Sequence, residues 1–152
     1  MEVVLGSEGG KLIFSPCMRD EGATYVDVTY VNGAVRGTTR MEDELCCIPG
    51  GGRPQAFFRH LADDWRGWEG ERVWGDASGQ CLLRATNDGL SRVTMAVELL
   101  SSQMPFDVRI SGGLYIELGQ LPGIANQMEE LFGRPDWADH GPNASRAGVA
   151  SR

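Results

Sequence analysis

His60 and Asp64 stand four residues apart. In a helix that spacing places an imidazole and a carboxylate one turn apart on one face. Such a pair can share a metal ion, or act as a general base and the group that orients it. Asp63 adjoins the pair, and Glu69 and Glu71 follow. A metal would need a further ligand from elsewhere, and spacing marks out none. The plainer reading is a solvated helix face opposite an apolar one. His140 falls in a stretch with few large apolar groups and reads as inert. No catalytic, cofactor-binding or metal-ligating set is assigned, and no cofactor is expected.

The cysteines, Cys17, Cys46, Cys47 and Cys81, form no C-x-x-C pair and have no histidine at zinc spacing. Vicinal Cys46 and Cys47 cannot readily bond each other. They stand where a strand meets a loop, which makes them the more reactive pair, whereas Cys81 lies inside a strand pattern and reads as core. No serine sits in G-x-S-x-G. The glycine-rich runs GSEGGK and IPGGGRP lack Walker spacing. The second precedes a helix, whose N-terminus favours anions, but Pro54 removes a donor and no lysine follows.

Acids and aromatics cluster more than catalytic groups do. The acidic groups are Glu42-Asp43-Glu44, Asp63-Asp64, Glu69 with Glu71, and Glu129-Glu130. Brought together, they would steer a basic partner; spread apart, they are ordinary solvation charge. The tryptophans are Trp65, Trp68, Trp74 and Trp137. Trp65 falls on an apolar helical stripe and is expected in the core. Trp68, between glycines and acids, is the better exposed anchor. The partner-binding candidates are therefore Trp68, Glu69, Glu71, Asp63, Asp64, Glu42, Asp43 and Glu44.

Two β blocks and two helices must position these residues. Residues 2–5 and 11–14 read as a hairpin, followed by a loop, SPCMRDEGA. Residues 25–31 alternate, with Val26, Val28 and Tyr30 on one face. Asn32-Gly33 then suits a two-residue turn, which sets Tyr30 opposite Val35 and Val28 opposite Gly37. After the IPGGGRP break, Phe58, Leu61, Ala62 and Trp65 make a helical face, predicting a helix over about 54–67 that ends at Gly67 and Gly70. Strands are expected at 72–74, 80–86 and 91–100, the last alternating through Val93, Met95, Val97 and Leu99. From Phe106 to Leu118 the apolar parity survives Gly112-Gly113, predicting one long bent strand rather than a hairpin. Ile124, Met128, Leu131 and Phe132 give a helix over 121–132, closed by Gly133 and Pro135. The expected class is α+β, largely antiparallel, in the order ββββ-α-ββββ-α. Residues 1–133 form a single domain on this reading, and 134–152 a disordered tail.

The chain has 152 residues, enough to bury a core without disulfides or metal. A net charge of −7 and a pI near 4.8 argue against nonspecific nucleic-acid binding and against an anionic membrane surface. The first residues lack a signal-peptide pattern, and no apolar run is long enough to span a bilayer. A soluble cytoplasmic protein is expected.

An ordered set of motifs runs from Val28 to Phe132. It comprises G-x-x-x-G (33–37), F-F-x-x-L-x-x-x-W-x-G-W-x-G (57–70) and L-x-A-T-N-D-G-L (83–90), then an alternating strand, a long strand and an amphipathic helix. In this pattern the chain resembles a group of small actinobacterial proteins of unassigned function. It is similar, more distantly, to WapI-type immunity proteins of polymorphic toxin systems. The resemblance implies fold and brings no active-site residues with it. It points to a non-enzymatic domain that masks a cognate protein toxin through an acidic and aromatic surface. Two other classes stay open: an enzyme or ligand-binding domain with a pocket between sheet and helices, and a structural subunit that self-associates through an exposed tryptophan.

Overall fold

The computed structural model describes residues 1–20, 23–42, 53–76, 78–103 and 106–132; within these, the side chains of 17–20, 23–24, 42, 102–103 and 106 are left aside. Four strands, β1 (Val3–Ser7), β2 (Gly10–Asp20), β3 (Ala23–Asn32) and β4 (Val35–Glu42), precede a helix, α1 (Pro54–Asp63). Four more follow: β5 (Arg72–Gly75), β6 (Cys81–Asn87), β7 (Arg92–Gln103) and β8 (Phe106–Glu117). A short 3₁₀ turn at Leu118–Gln120 leads into α2 (Leu121–Phe132). The strands form two antiparallel sheets, each in sequence order, so the fold is α+β. No helix among the described residues is long and apolar enough to cross a membrane.

Alternation decides which face of each strand is buried. Val26, Val28 and Tyr30 of β3, and Val93, Met95, Val97 and Leu99 of β7, all lie in the core, as their period of two requires. The helices cover this core with Phe57, Phe58 and Leu61 from α1 and Leu121, Ile124, Ala125, Met128 and Phe132 from α2. Phe14 of β2 meets Phe58 and Phe132 edge-on, with centroids 6.2 and 6.3 Å apart, so one ring locks both helices to the first sheet. Between the helices, Arg59 donates to Glu129 Oε1 at 2.7 Å and to Asn126 Oδ1 at 2.6 Å.

Three expectations change. The segment read as a loop after residue 14 is largely strand. β2 runs on to Asp20 with a register shift between Pro16 and Arg19, where a proline without an N–H has to leave the ladder. The β3–β4 turn is Gly33-Ala34, flanked by the pair Asn32–Val35, so Tyr30 faces Gly37 and Val28 faces Thr39. The faces keep their parity but the partners move by two. The alternative register would set Val35 rather than a glycine beside the Tyr30 ring, and it would lose the 2.8 Å hydroxyl bond between Thr29 and Thr38. Finally, α1 stops at Asp63, about one turn short of the predicted end.

β8 is a single strand through Gly112-Gly113, as its parity predicts. The glycines have a packing reason. β8 is the edge of the second sheet, and Tyr30 reaches it from the first. The Tyr30 hydroxyl donates to Gly113 O at 2.8 Å and accepts from Gly113 N at 3.0 Å. One phenol thus satisfies both edge groups of a residue that no further strand can pair. A Cβ on Gly112 would overlap the Tyr30 ring, and one on Gly10 would overlap the Gly113 carbonyl. Farther along, Thr39 Oγ1 of β4 donates to Leu100 O of β7 at 3.1 Å, a second tie between the sheets.

Tyr30→Phe removes the hydroxyl and strands two part-buried backbone groups, so it should cost roughly 1–3 kcal/mol of stability. Gly112→Ala should cost about 3 kcal/mol or more, since the ring it meets is pinned by two hydrogen bonds. Gly37→Ala meets only the end of the Ile110 side chain, which can rotate away, and should cost about 1 kcal/mol or less. Urea unfolding of the three variants checks that order. Equal losses would mean that the junction is not held through Tyr30.

Candidate functional site

The early stop of α1 determines what happens to its aromatics. Asp64 leaves helical geometry at φ −95°, ψ 33°, while its N–H still bonds His60 O at 3.1 Å. Gly67 then takes φ +113°, a conformation that L side chains rarely adopt, and its N–H bonds Asp64 O at 2.8 Å. The chain turns outward between these points. Trp65 is therefore 54% exposed and not the core residue expected from its helical spacing. Arg66 lies over its ring, 5.2 Å from the centroid.

Trp68 takes the opposite course. It is half-buried against the core and donates its indole N–H to Ala85 O at 3.3 Å. Arg72 covers its ring at 5.5 Å. Of the two indoles it is therefore Trp65, and not Trp68 as expected, that is exposed. The reason is the turn at Gly67, which reverses the chain between the two indoles.

A second loop is fastened to the first. Asn87 Nδ2 donates to Trp68 O at 2.9 Å, and Asn87 Oδ1 accepts from Gly89 N at 3.0 Å. Asp88 Oδ1 accepts from the N–H groups of Leu90, Ser91 and Arg92 at 2.8, 3.0 and 3.1 Å. Those donors, Leu90 first and Arg92 next, hold the Asp88 carboxyl below the usual aspartate range. The turn carries Leu90, which is 84% exposed. Leu118 N donates to Ser91 O at 2.7 Å, which ties the end of β8 to the same turn.

Between these loops runs an open groove of about 660 Å³, lined chiefly by Trp65, Arg66, Leu90, Glu117, Leu118 and Pro122. That volume lies in the range of ordinary binding sites. Its walls are mostly apolar. Glu117 is the carboxylate in the lining; it meets Arg92 at 3.4 Å, and Arg92 in turn covers Tyr115 at 4.9 Å.

The predicted acids divide. Asp64 pairs with Arg72 at 2.6 Å, which closes the 64–72 loop. Asp63, Glu69 and Glu71 are exposed on or beside that loop. Glu129 belongs to the interhelical bridge instead. Asp43, Glu44 and the Glu42 side chain lie outside the described residues, as do Cys46, Cys47, Trp137, His140, the Cys17 side chain and the 134–152 segment. The His60–Asp64 pair gains no third ligand: among the described residues, no cluster of three or more His, Cys, Asp or Glu side chains could hold a metal. Cys81 is fully buried, and burial pushes its thiol far up from the usual range.

The sequence reading did not single out Leu90, Leu118 or Pro122. One signal was available: Leu90 directly follows Asn87-Asp88-Gly89, and a large aliphatic residue on a reverse turn has no core to enter.

A family of unknown function, DUF6228, is matched over residues 7–135. The chain belongs to this family. No curated protein and no solved structure matches it. The matched span takes in β2 to β8, both helices and every residue of the groove named above, and leaves out nearly all of β1.

The Asp88 turn makes a pH-dependent prediction. A carboxyl whose folded pKa is depressed contributes order that is fully present above its unfolded value and is lost as pH falls through the folded one. The backbone amide signals of Leu90, Ser91 and Arg92 should therefore titrate together, below the ordinary aspartate pKa. In Asp88→Asn the amide oxygen still accepts, but this shared titration should vanish. Two-dimensional ¹H–¹⁵N NMR across acid pH reads both outcomes.

Proposed function

We propose that this DUF6228 chain is a non-enzymatic protein-binding domain that docks its partner on the face bearing Trp65 and Leu90. The observation that carries this reading is the pairing of those two exposed side chains across one groove, each on a loop fixed by hydrogen bonds. Large apolar side chains of this kind, tryptophan above all, supply most of the energy at protein interfaces. Loops already ordered lose little further freedom on binding.

The motifs behind the likeness to small actinobacterial proteins, and more distantly to WapI-type immunity proteins, support a narrower form. Residues 57–70 and 83–90 are the segments that present Trp65 and Leu90. On this reading the chain is an immunity-like cytoplasmic protein that masks a toxin domain through an aromatic and acidic surface. The His60–Asp64 pair has no assigned role, since Asp64 is already engaged by Arg72.

A second reading rests on the groove volume of about 660 Å³, which suits a small apolar ligand as well. The two readings differ in what they ask of Leu90. A protein partner covers its exposed flank, whereas a small ligand needs only the groove wall.

The test is co-purification of the full chain with the toxin domain encoded beside its gene, with growth protection as the second readout. Trp65→Ser and Leu90→Ser should each weaken the complex at least about tenfold, a loss of roughly 1.4 kcal/mol, without lowering the melting temperature. Absence of both complex and protection with every neighbouring gene product would refute the immunity role.

A further inference from the structure

We infer that the partner segment received by the groove carries one large apolar side chain beside a lysine or arginine; the inference rests on the docking reading above. The apolar half follows from the lining. Trp65, Leu90, Leu118 and Pro122 offer hydrocarbon to an inserted side chain, and the charged residues there are Arg66 and Glu117. An apolar anchor displaces water from those walls without leaving a polar group of its own unpaired.

The cationic half follows from which local charges are already matched. Residues 63–72 hold four acids, Asp63, Asp64, Glu69 and Glu71, against two arginines, Arg66 and Arg72. Arg72 is taken by Asp64 at 2.6 Å. Asp63 acts on Arg59, raising its pKa after the stronger effect of Glu129. Glu69 and Glu71 are exposed and make no ion pair among the described residues. Arg66 is the opposing cation, and it lies over the Trp65 ring. Inside the groove, Glu117 shares a capping box with Gln120 and meets Arg92 at 3.4 Å, yet it is 52% exposed, so its two carboxylate oxygens keep room for a further, incoming donor. Beyond the site, the net charge of −7 draws cationic segments and repels anionic ones. An anchor flanked by Lys or Arg therefore meets Glu117 within the groove and Glu69 and Glu71 on the neighbouring loop.

A random dodecapeptide display library panned on the purified full chain tests this, with the Trp65→Ser/Leu90→Ser double variant as the counter-target. Selected peptides are then resynthesised and titrated calorimetrically against wild type, the double variant and Glu69→Gln/Glu71→Gln. The expected enrichment is a Leu, Phe or Trp next to Lys or Arg. Binding should fall at least tenfold in the double variant and at least threefold in the charge variant, and it should weaken as salt rises. Enrichment of apolar anchors flanked by Asp or Glu, lost in the double variant, would overturn the cationic half and leave the docking site standing. Basic peptides without an apolar residue would overturn the anchor. Peptides that bind wild type and the double variant equally, or no enrichment at all, would overturn the docking reading itself. Melting curves of all variants show whether each stays folded. If the double variant unfolds, Leu90→Ser alone, at an exposed turn position, takes its place.

Discussion

One hydroxyl, that of Tyr30, closes the edge of the second sheet by bonding both the N–H and the C=O of Gly113. Edge strands carry unpaired backbone groups that invite pairing with other chains, and folds must cover or blunt them. Here the cover is the inner face of the first sheet. Close approach of this kind is possible only where Cβ atoms are missing, which is why Gly10 and Gly112 sit at the contact. Glycines in the middle of a strand weaken its local preference for extended structure. Packing across the junction offsets that weakness, and β8 runs on through the two glycines in unbroken register with β7.

From this junction the geometry propagates to the groove. Tyr30 fixes β8, and β8 ends in Glu117, which begins the 3₁₀ turn and accepts the pull of Arg92. Leu118 N then bonds Ser91 O, so the end of β8 and the Asp88 turn form one unit. Asn87 ties that unit to Trp68, and Trp68 is seated on Ala85. The groove walls thus come from three separated parts of the chain that are linked by backbone or side-chain hydrogen bonds at every step. Nothing in this path needs a long flexible side chain to hold its position, apart from the weak Arg92–Glu117 pair.

The parts of this arrangement that follow from periodicity were legible in the sequence. The alternation of β3 and β7, the parity of β8 and the stripe of α2 each state a face. The structure buries the β3 and β7 faces and most of the α2 stripe, but of the described β8 face only Leu114 and Ile116 are buried and Val108 is exposed. What was not legible depends on contacts between segments distant in sequence. The β3–β4 register differs by two residues from the turn-based expectation, and either register keeps the same face, so alternation cannot choose between them. The choice comes from Gly37, Thr38 and the ring of Tyr30. The end of α1 depends on such contacts as well. Phe58, Leu61, Ala62 and Trp65 fit a helical stripe, yet Gly67 and the Asp64–Arg72 ion pair stop the helix one turn earlier. That one-turn difference interchanges the exposure of Trp65 and Trp68.

The interchange bears on function. Burying an indole contributes on the order of 2–3 kcal/mol relative to leaving it exposed. A helix extended through residue 65 would have gained much of that, and the apolar spacing for it is present. The chain instead turns at Asp64 and places Trp65 at the rim of a groove. A lone exposed apolar residue needs no explanation. Two of them facing one groove, on loops tied to each other through Asn87 and Trp68, are harder to attribute to chance. Stability alone favours the buried indole; on the docking reading proposed above, the energy given up at Trp65 is recovered in a contact made outside the folded chain. Trp68 supplies the comparison. It has the same residue type three positions away, and it is turned inward with its N–H satisfied by Ala85 O, which seats the loop on β6.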